Sequence, residues 1–144
     1  MESPAELRLD LVMELLLSPE EFFPLPARLV YSADDPYALH VSFHVDSAQP
    51  VGWFFARDLL VQGLLRPTGF GDVRIWPTTS AGRRVVTLML CSPGGDAFLQ
   101  APAAALAPWL HRTLRLVPPG SETVRDRVDR ALDTLFAGDG PSGR

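Results

Sequence analysis

Leu7, Leu9, Leu11, Met13, Leu15 and Leu17 alternate with Glu6, Arg8, Asp10 and Glu14. A period of two marks a strand with one buried and one wet face. Ser18-Pro19-Glu20-Glu21 ends it, and Pro24 and Pro26 open a second strand over 27–32 as an edge or strand start. After the turn at Asp34-Asp35-Pro36 the alternation is clearest. Tyr37, Leu39, Val41, Phe43 and Val45 fall on one face, and Ala38, His40, Ser42 and His44 on the other. A fourth strand spans 51–55, and four strands with turn-length links predict an antiparallel meander.

The period then changes. Leu59, Leu60, Gly63 and Leu64 share one face of a helix over 56–65, which Pro67 stops. Thr68-Gly69-Phe70-Gly71 turns the chain into a fifth strand, Asp72 to Trp76. The sixth, Val85 to Cys91, is apolar on both faces, which suits a central strand or one that meets a partner subunit. A turn at Ser92–Asp96 follows. A helix over 102–115 presents Leu106, Leu110 and Leu114, with Pro108 expected to kink it or delay its start. Ser121 caps a last helix whose stripe is Val124, Val128, Ala131, Leu132, Leu135 and Phe136. The pattern predicts one α+β domain over residues 1–137 and a flexible tail over 138–144.

Composition narrows the classes. The 144 residues are 47% apolar and 21% charged, enough for a single sizeable core. No apolar run reaches the roughly 18 to 20 residues of a membrane span, and the acidic N-terminus lacks the basic start of a signal peptide. One cysteine, Cys91, makes no internal disulfide. These features predict a soluble cytoplasmic domain. The net charge of −4 is uneven: residues 1–52 hold two arginines against nine acids, and residues 53–90 hold five arginines against two. A nucleic-acid binder needs basic surface because phosphate neutralisation supplies most of its affinity, and the acidic total argues against that class.

Chemistry is sparse. Gly69 and Gly71 follow a helix and precede a strand, the reverse of a dinucleotide loop, and this lysine-free chain has no P-loop. His40 and His44 lie four residues apart on a strand, about 13 Å, too far to chelate one metal. No nucleophile elbow occurs, and Cys91 reads as a small core residue. No catalytic, metal or cofactor constellation stands out. A binding reading remains, in which His40, His44, Arg74 and Trp76 share a sheet face and stack single-stranded nucleic acid. Glu6, Asp10, Glu14 and Asp72 oppose it.

The blocks "DDPYALHVSFH" (34–44), "WFFARDLLVQGLLRPTGFGDVRIWP" (53–77), "SPGGDAFLQAP" (92–102) and "VPPGSE" (117–122) resemble the SsgA-like family of actinobacterial sporulation and cell-division proteins. The resemblance runs from about residue 7 to residue 137, in the same order and spacing. It implies a non-enzymatic protein without cofactors that controls septation, cell-wall remodelling or spore maturation. It further implies contacts with division proteins such as FtsZ or other SsgA-like members, and concentration at septa. The implied fold is Whirly-like, with curved antiparallel sheets and packed helices in a bell-shaped homotrimer. A Whirly-like sheet also carries the alternative function, single-stranded nucleic-acid binding. Within this family pattern Arg57, Asp58, Gly69, Gly71, Asp72 and Trp76 are read as structural, with Arg57 and Asp58 fixing helix against sheet by a salt bridge or cap. Phe22, Phe23, Phe70 and Trp109 are candidates for a protein-interaction surface.

Overall fold

The computed structural model, which describes residues 5–44, 49–119 and 132, turns the alternating segments into one continuous antiparallel sheet. Strands β1 (Glu6–Ser18), β2 (Glu21–Ser32), β3 (Asp35–Phe43) and β4 (Val51–Ala56) lead into helix α1 (Arg57–Gly63). Strands β5 (Thr68–Phe70), β6 (Val73–Ser80), β7 (Arg83–Ser92) and β8 (Gly95–Pro102) lead into helix α2 (Ala103–Leu116). The described chain is thus a four-stranded meander plus helix, made twice. The sheet order is β4-β3-β2-β1-β8-β7-β6-β5, so the first strand of one unit meets the last of the other. That seam is narrow, with Glu14 opposite Gln100 and Leu15 opposite Leu99. The result is a curved half-barrel carrying two helices.

The inner face is the core. Met13, Leu29, Leu39 and Val41 of the first unit and Ile75, Val86, Leu88 and Leu99 of the second are buried under Leu60 of α1 and Leu106, Trp109 and Leu110 of α2. Each such side chain contributes about 1.5–3 kcal/mol by leaving water. β7 is central, between β6 and β8, with Val86, Leu88 and Leu90 buried on its inner face and Val85, Met89 and Cys91 half-buried on its outer face. On its outer side Thr87 is buried and hydrogen-bonds Thr78 at 3.0 Å.

The observed elements depart from the sequence pattern in five places, one of them β5, which occupies Thr68–Phe70 where a turn was expected. β2 begins at Glu21, six residues before the predicted strand, with both prolines inside it opposite Glu14 and Val12. The Pro26 carbonyl accepts the His44 N–H at 3.1 Å, on the side away from β1. Nitrogen and oxygen of one strand residue point the same way, so proline's missing donor costs the β1 ladder nothing. β8 runs from the end of the expected turn at Ser92–Asp96 through residues 97–101, to which the sequence pattern assigned no element. Its alanine and glutamine are weak strand formers, yet eight pairs with β7 hold it, tertiary pairing outweighing propensity. Tyr37 and Leu17, both assigned to buried faces, are exposed because register shifts beside them change the phase of the alternation. Pro108 lies inside α2 without ending it. The last helix, its Ser121 cap and the tail lie outside the described residues, apart from an exposed, helical Leu132.

Two contacts tie the units together. A Cβ on Gly63 would stand 2.4 Å from Ile75 Cγ2, so α1 approaches β6 at a distance that only glycine permits. Arg57, the first residue of α1, has no solvent exposure. Its Nη1 donates to the Thr113 carbonyl of α2 at 2.8 Å, and its guanidinium lies 4.8 Å from the centre of the Tyr31 ring. The carbonyls at a helix C-terminus carry partial negative charge, and an aromatic face attracts a cation, so both partners suit a buried arginine.

In an isolated helix Gly63→Ala would gain up to about 1 kcal/mol of propensity. Here overpacking against Ile75 should outweigh that gain and leave a net loss of roughly 1–2 kcal/mol in urea unfolding. A more stable variant would show that the contact is not tight. Arg57→Ala should cost about 3–5 kcal/mol by the same measurement, since a large buried side chain and its hydrogen bonds disappear together. Arg57→Lys should restore only part of that, because an ammonium lacks the planar fork.

Candidate functional site

The block from Phe55 to Pro77 folds as the end of β4, helix α1, the short strand β5, a tight turn and the first part of β6. Arg57 points inward to α2, whereas Asp58 faces solvent and accepts a long hydrogen bond from Gln62 Nε2 at 3.5 Å. Arg57 and Asp58 therefore turn to opposite sides, and no side chain caps α1. Arg57 meets the Thr113 carbonyl of α2 and the Tyr31 ring of β2, which holds α1 against both the second helix and the sheet. Gly69 and Gly71 have φ of +96° and +79°. Gly71 and Asp72 form the two-residue loop between Phe70 and Val73, with glycine first as in a II′ hairpin. The Asp72 carbonyl accepts the Cys91 N–H at 2.9 Å, which ties that loop to β7. Trp76 is half-buried on the outer face, edge-on to Phe98 at 6.4 Å.

The polar candidates do not converge. His40 stacks on Phe54 with centroids 4.3 Å apart, while His44 lies beyond the end of β3 with φ of +60°. Among the described residues no three metal-capable side chains group together. Desolvation pushes the Cys91 thiol up, and the nearby Asp96 adds to the shift. A thiol so placed stays protonated at neutral pH and is a poor nucleophile.

The sheet face considered for nucleic acid is real but divided. His40 on β3 and Arg74 and Trp76 on β6 do share the outer face, as the row Glu14–Gln100–Thr87–Trp76 shows. Five strand spacings separate β3 from β6, roughly 24 Å along the sheet. Between them lies β1 with Glu6, Asp10 and Glu14 exposed. Arg28 is committed to Asp10 at 2.7 Å, and this hydrogen bond holds the Asp10 carboxyl below its ordinary value. A polyanion crossing this face meets a carboxylate row midway.

Exposed apolar groups concentrate elsewhere. Phe22 and Phe23 are 43% and 49% exposed near the tip of the β1–β2 hairpin, with Leu17 beside them at 61%. Phe23 is on the inner side opposite Leu15, and Leu15 itself lines a groove of about 230 Å³ with Leu25, Trp53 and Leu99. Trp109, by contrast, is 3% exposed within the core and offers nothing to a partner. Its place beside Leu106 and Leu110 turns it toward the sheet. Phe70 ends β5, and its side chain is outside the described residues. Sequence reasoning missed Phe54, 68% exposed on edge strand β4, because the short run Val51–Phe55 shows no alternation. It also missed a groove of about 750 Å³ between the end of α1, the start of β7 and the start of α2. No helix among the described residues is long and apolar enough to cross a membrane.

Comparison with known proteins gives these surfaces a context. The family model described as Streptomyces sporulation and cell division protein, SsgA, matches residues 25–122. Sporulation-specific cell division protein SsgB of Streptomyces coelicolor is 48% identical over 128 residues, covering 89% of this chain and 93% of the relative. SsgB of Thermobifida fusca is 48% identical over 117 residues, 81% of this chain and 83% of its own length. A solved structure, from work in which mutations in SsgB correlate to longitudinal cell division during sporulation of Streptomyces coelicolor, aligns with a TM-score of 0.81 and 48% identity, covering 85% of this chain and 97% of that one. The crystal structure of an SsgA-like sporulation-specific cell division protein from Thermobifida fusca aligns at 0.79 with 42% identity, covering 92% of this chain and 96% of that one. The chain belongs to the SsgA family of sporulation and cell division proteins.

Proposed function

We propose that this protein is a non-catalytic adaptor of sporulation-specific cell division, acting through protein contacts in septum-site control and septation. One observation carries the reading: the match to sporulation-specific division proteins spans nearly the whole chain, so the fold and the division role are compared over the same residues. The exposed Leu17, Phe22 and Phe23 support it, since a cluster of large apolar groups on a hairpin tip is characteristic of a contact surface. The partner is a division protein such as FtsZ or another SsgA-like member. The protein works in the cytoplasm at future septa as a homotrimer of Whirly-like subunits.

A tagged copy in a sporulating actinobacterium should gather at septa, and deletion of the gene should disturb septation in aerial hyphae. A diffuse tag together with normal septa would overturn the division role. Light scattering should give three times the monomer mass; a monomer at micromolar concentration would remove the trimer alone.

Single-stranded nucleic-acid binding is the second reading, favoured by Arg74 beside the Trp76–Phe98 pair on the outer face. Anisotropy with a labelled oligonucleotide at low salt separates the two. The adaptor reading expects no binding; binding that weakens steeply with added salt would establish the second.

A further inference from the structure

The 750 Å³ groove opposite the hairpin tip differs in charge from the rest of this acidic protein. Three elements build it. Leu64 and Leu65 come from the end of α1, with Leu65 67% exposed. Ala81 and Gly82, both at positive φ, make the tight β6–β7 turn that delivers Arg83 and Arg84. Ala104 and Ala107 are exposed on the first turns of α2. The floor is thus apolar, and the small alanines on its α2 side let another backbone come close there.

Its electrostatics point one way. The ion pairs of the described residues join Arg8 and Arg28 to Asp10 and leave Arg83 and Arg84 out. The first turn of α2 has no acidic residue, and no side chain caps it. The N-terminal amides and dipole of a helix favour negative charge, so they add to the two guanidiniums. A hydrophobic trough flanked by cations and a helix N-terminus is complementary to an apolar segment that carries carboxylates.

We propose that this groove docks an acidic amphipathic helix of a partner protein, its leucine-type side chains on Leu64, Leu65 and the alanines, its carboxylates on Arg83 and Arg84. The proposal deepens the adaptor reading and rests on it for the existence of a partner.

The test uses the full chain and a fluorescein-labelled peptide with leucines at helical spacing and glutamates elsewhere, followed by anisotropy. A twin with lysine for each glutamate is the control. The acidic peptide should bind, and binding should fall about tenfold or more in Arg83→Glu/Arg84→Glu and in Ala104→Trp, which fills the groove. Both variants should keep the parent melting temperature and subunit number. Val12→Ser, on the far outer face, should bind as the parent does. Four results would overturn the proposal: no binding of the acidic peptide, equal binding of the lysine twin, unchanged affinity in the arginine variant, or an altered subunit number there, which makes the groove a self-contact. A peptide of residues 120–144 that displaces the probe from the groove also sinks it, assigning the site to the chain's own end. If the peptide fails while the tagged protein still marks septa, the docking idea falls and the division role stands.

Discussion

A guanidinium with no solvent contact must be met by protein groups, and Arg57 fixes where those groups stand. Its partners come from distant parts of the chain: the Tyr31 ring on β2 and the Thr113 carbonyl on α2. A burial this costly is tolerated only when geometry is right, so it sets the distance between the first sheet unit and the second helix. Gly63 does the same between α1 and β6 by allowing contact with Ile75. The block that looks most like a ligand motif in the sequence is therefore the part that registers one half of the fold on the other.

Much of this was legible in the residues. The alternation of β1 and the run from Leu39 to Phe43 identified their inner faces, and the change of period at Ala56 located α1. What escaped was set by pairing rather than pattern. β8 exists because β7 and β1 hydrogen-bond it on either side, a fact absent from Ala97–Ala101 alone. The prolines of β2 looked like the start of an edge strand, yet they lie inside the strand, which tolerates them because their nitrogens face away from β1. Exposure was the least readable quantity. Trp109 and Phe22 are equally apolar letters, yet one is core and the other surface, and local register decides which.

The same lesson holds for function. Two glycines, three arginines and a tryptophan invite phosphate or nucleic-acid readings, but in space the arginines part company. Arg57 is buried, Arg74 is on the outer face, and Arg66 bonds Gln62 at the end of α1. Residues 53–90 are basic overall, and that charge is spread over several faces, with Arg83 and Arg84 alone gathered beside an apolar trough. The described surface is accordingly distinct in chemistry from end to end, with a greasy hairpin at one end and a cationic groove at the other.

The joint between the two meanders is two residue pairs wide, Glu14 with Gln100 and Leu15 with Leu99. A ladder that short resists shearing far less than the eight-pair β7–β8 ladder, so the backbone alone would leave the halves free to twist. The curvature of the whole sheet is consequently held by what fills its concave side, and a side-chain change under either helix would be transmitted as a change of shape at both rims.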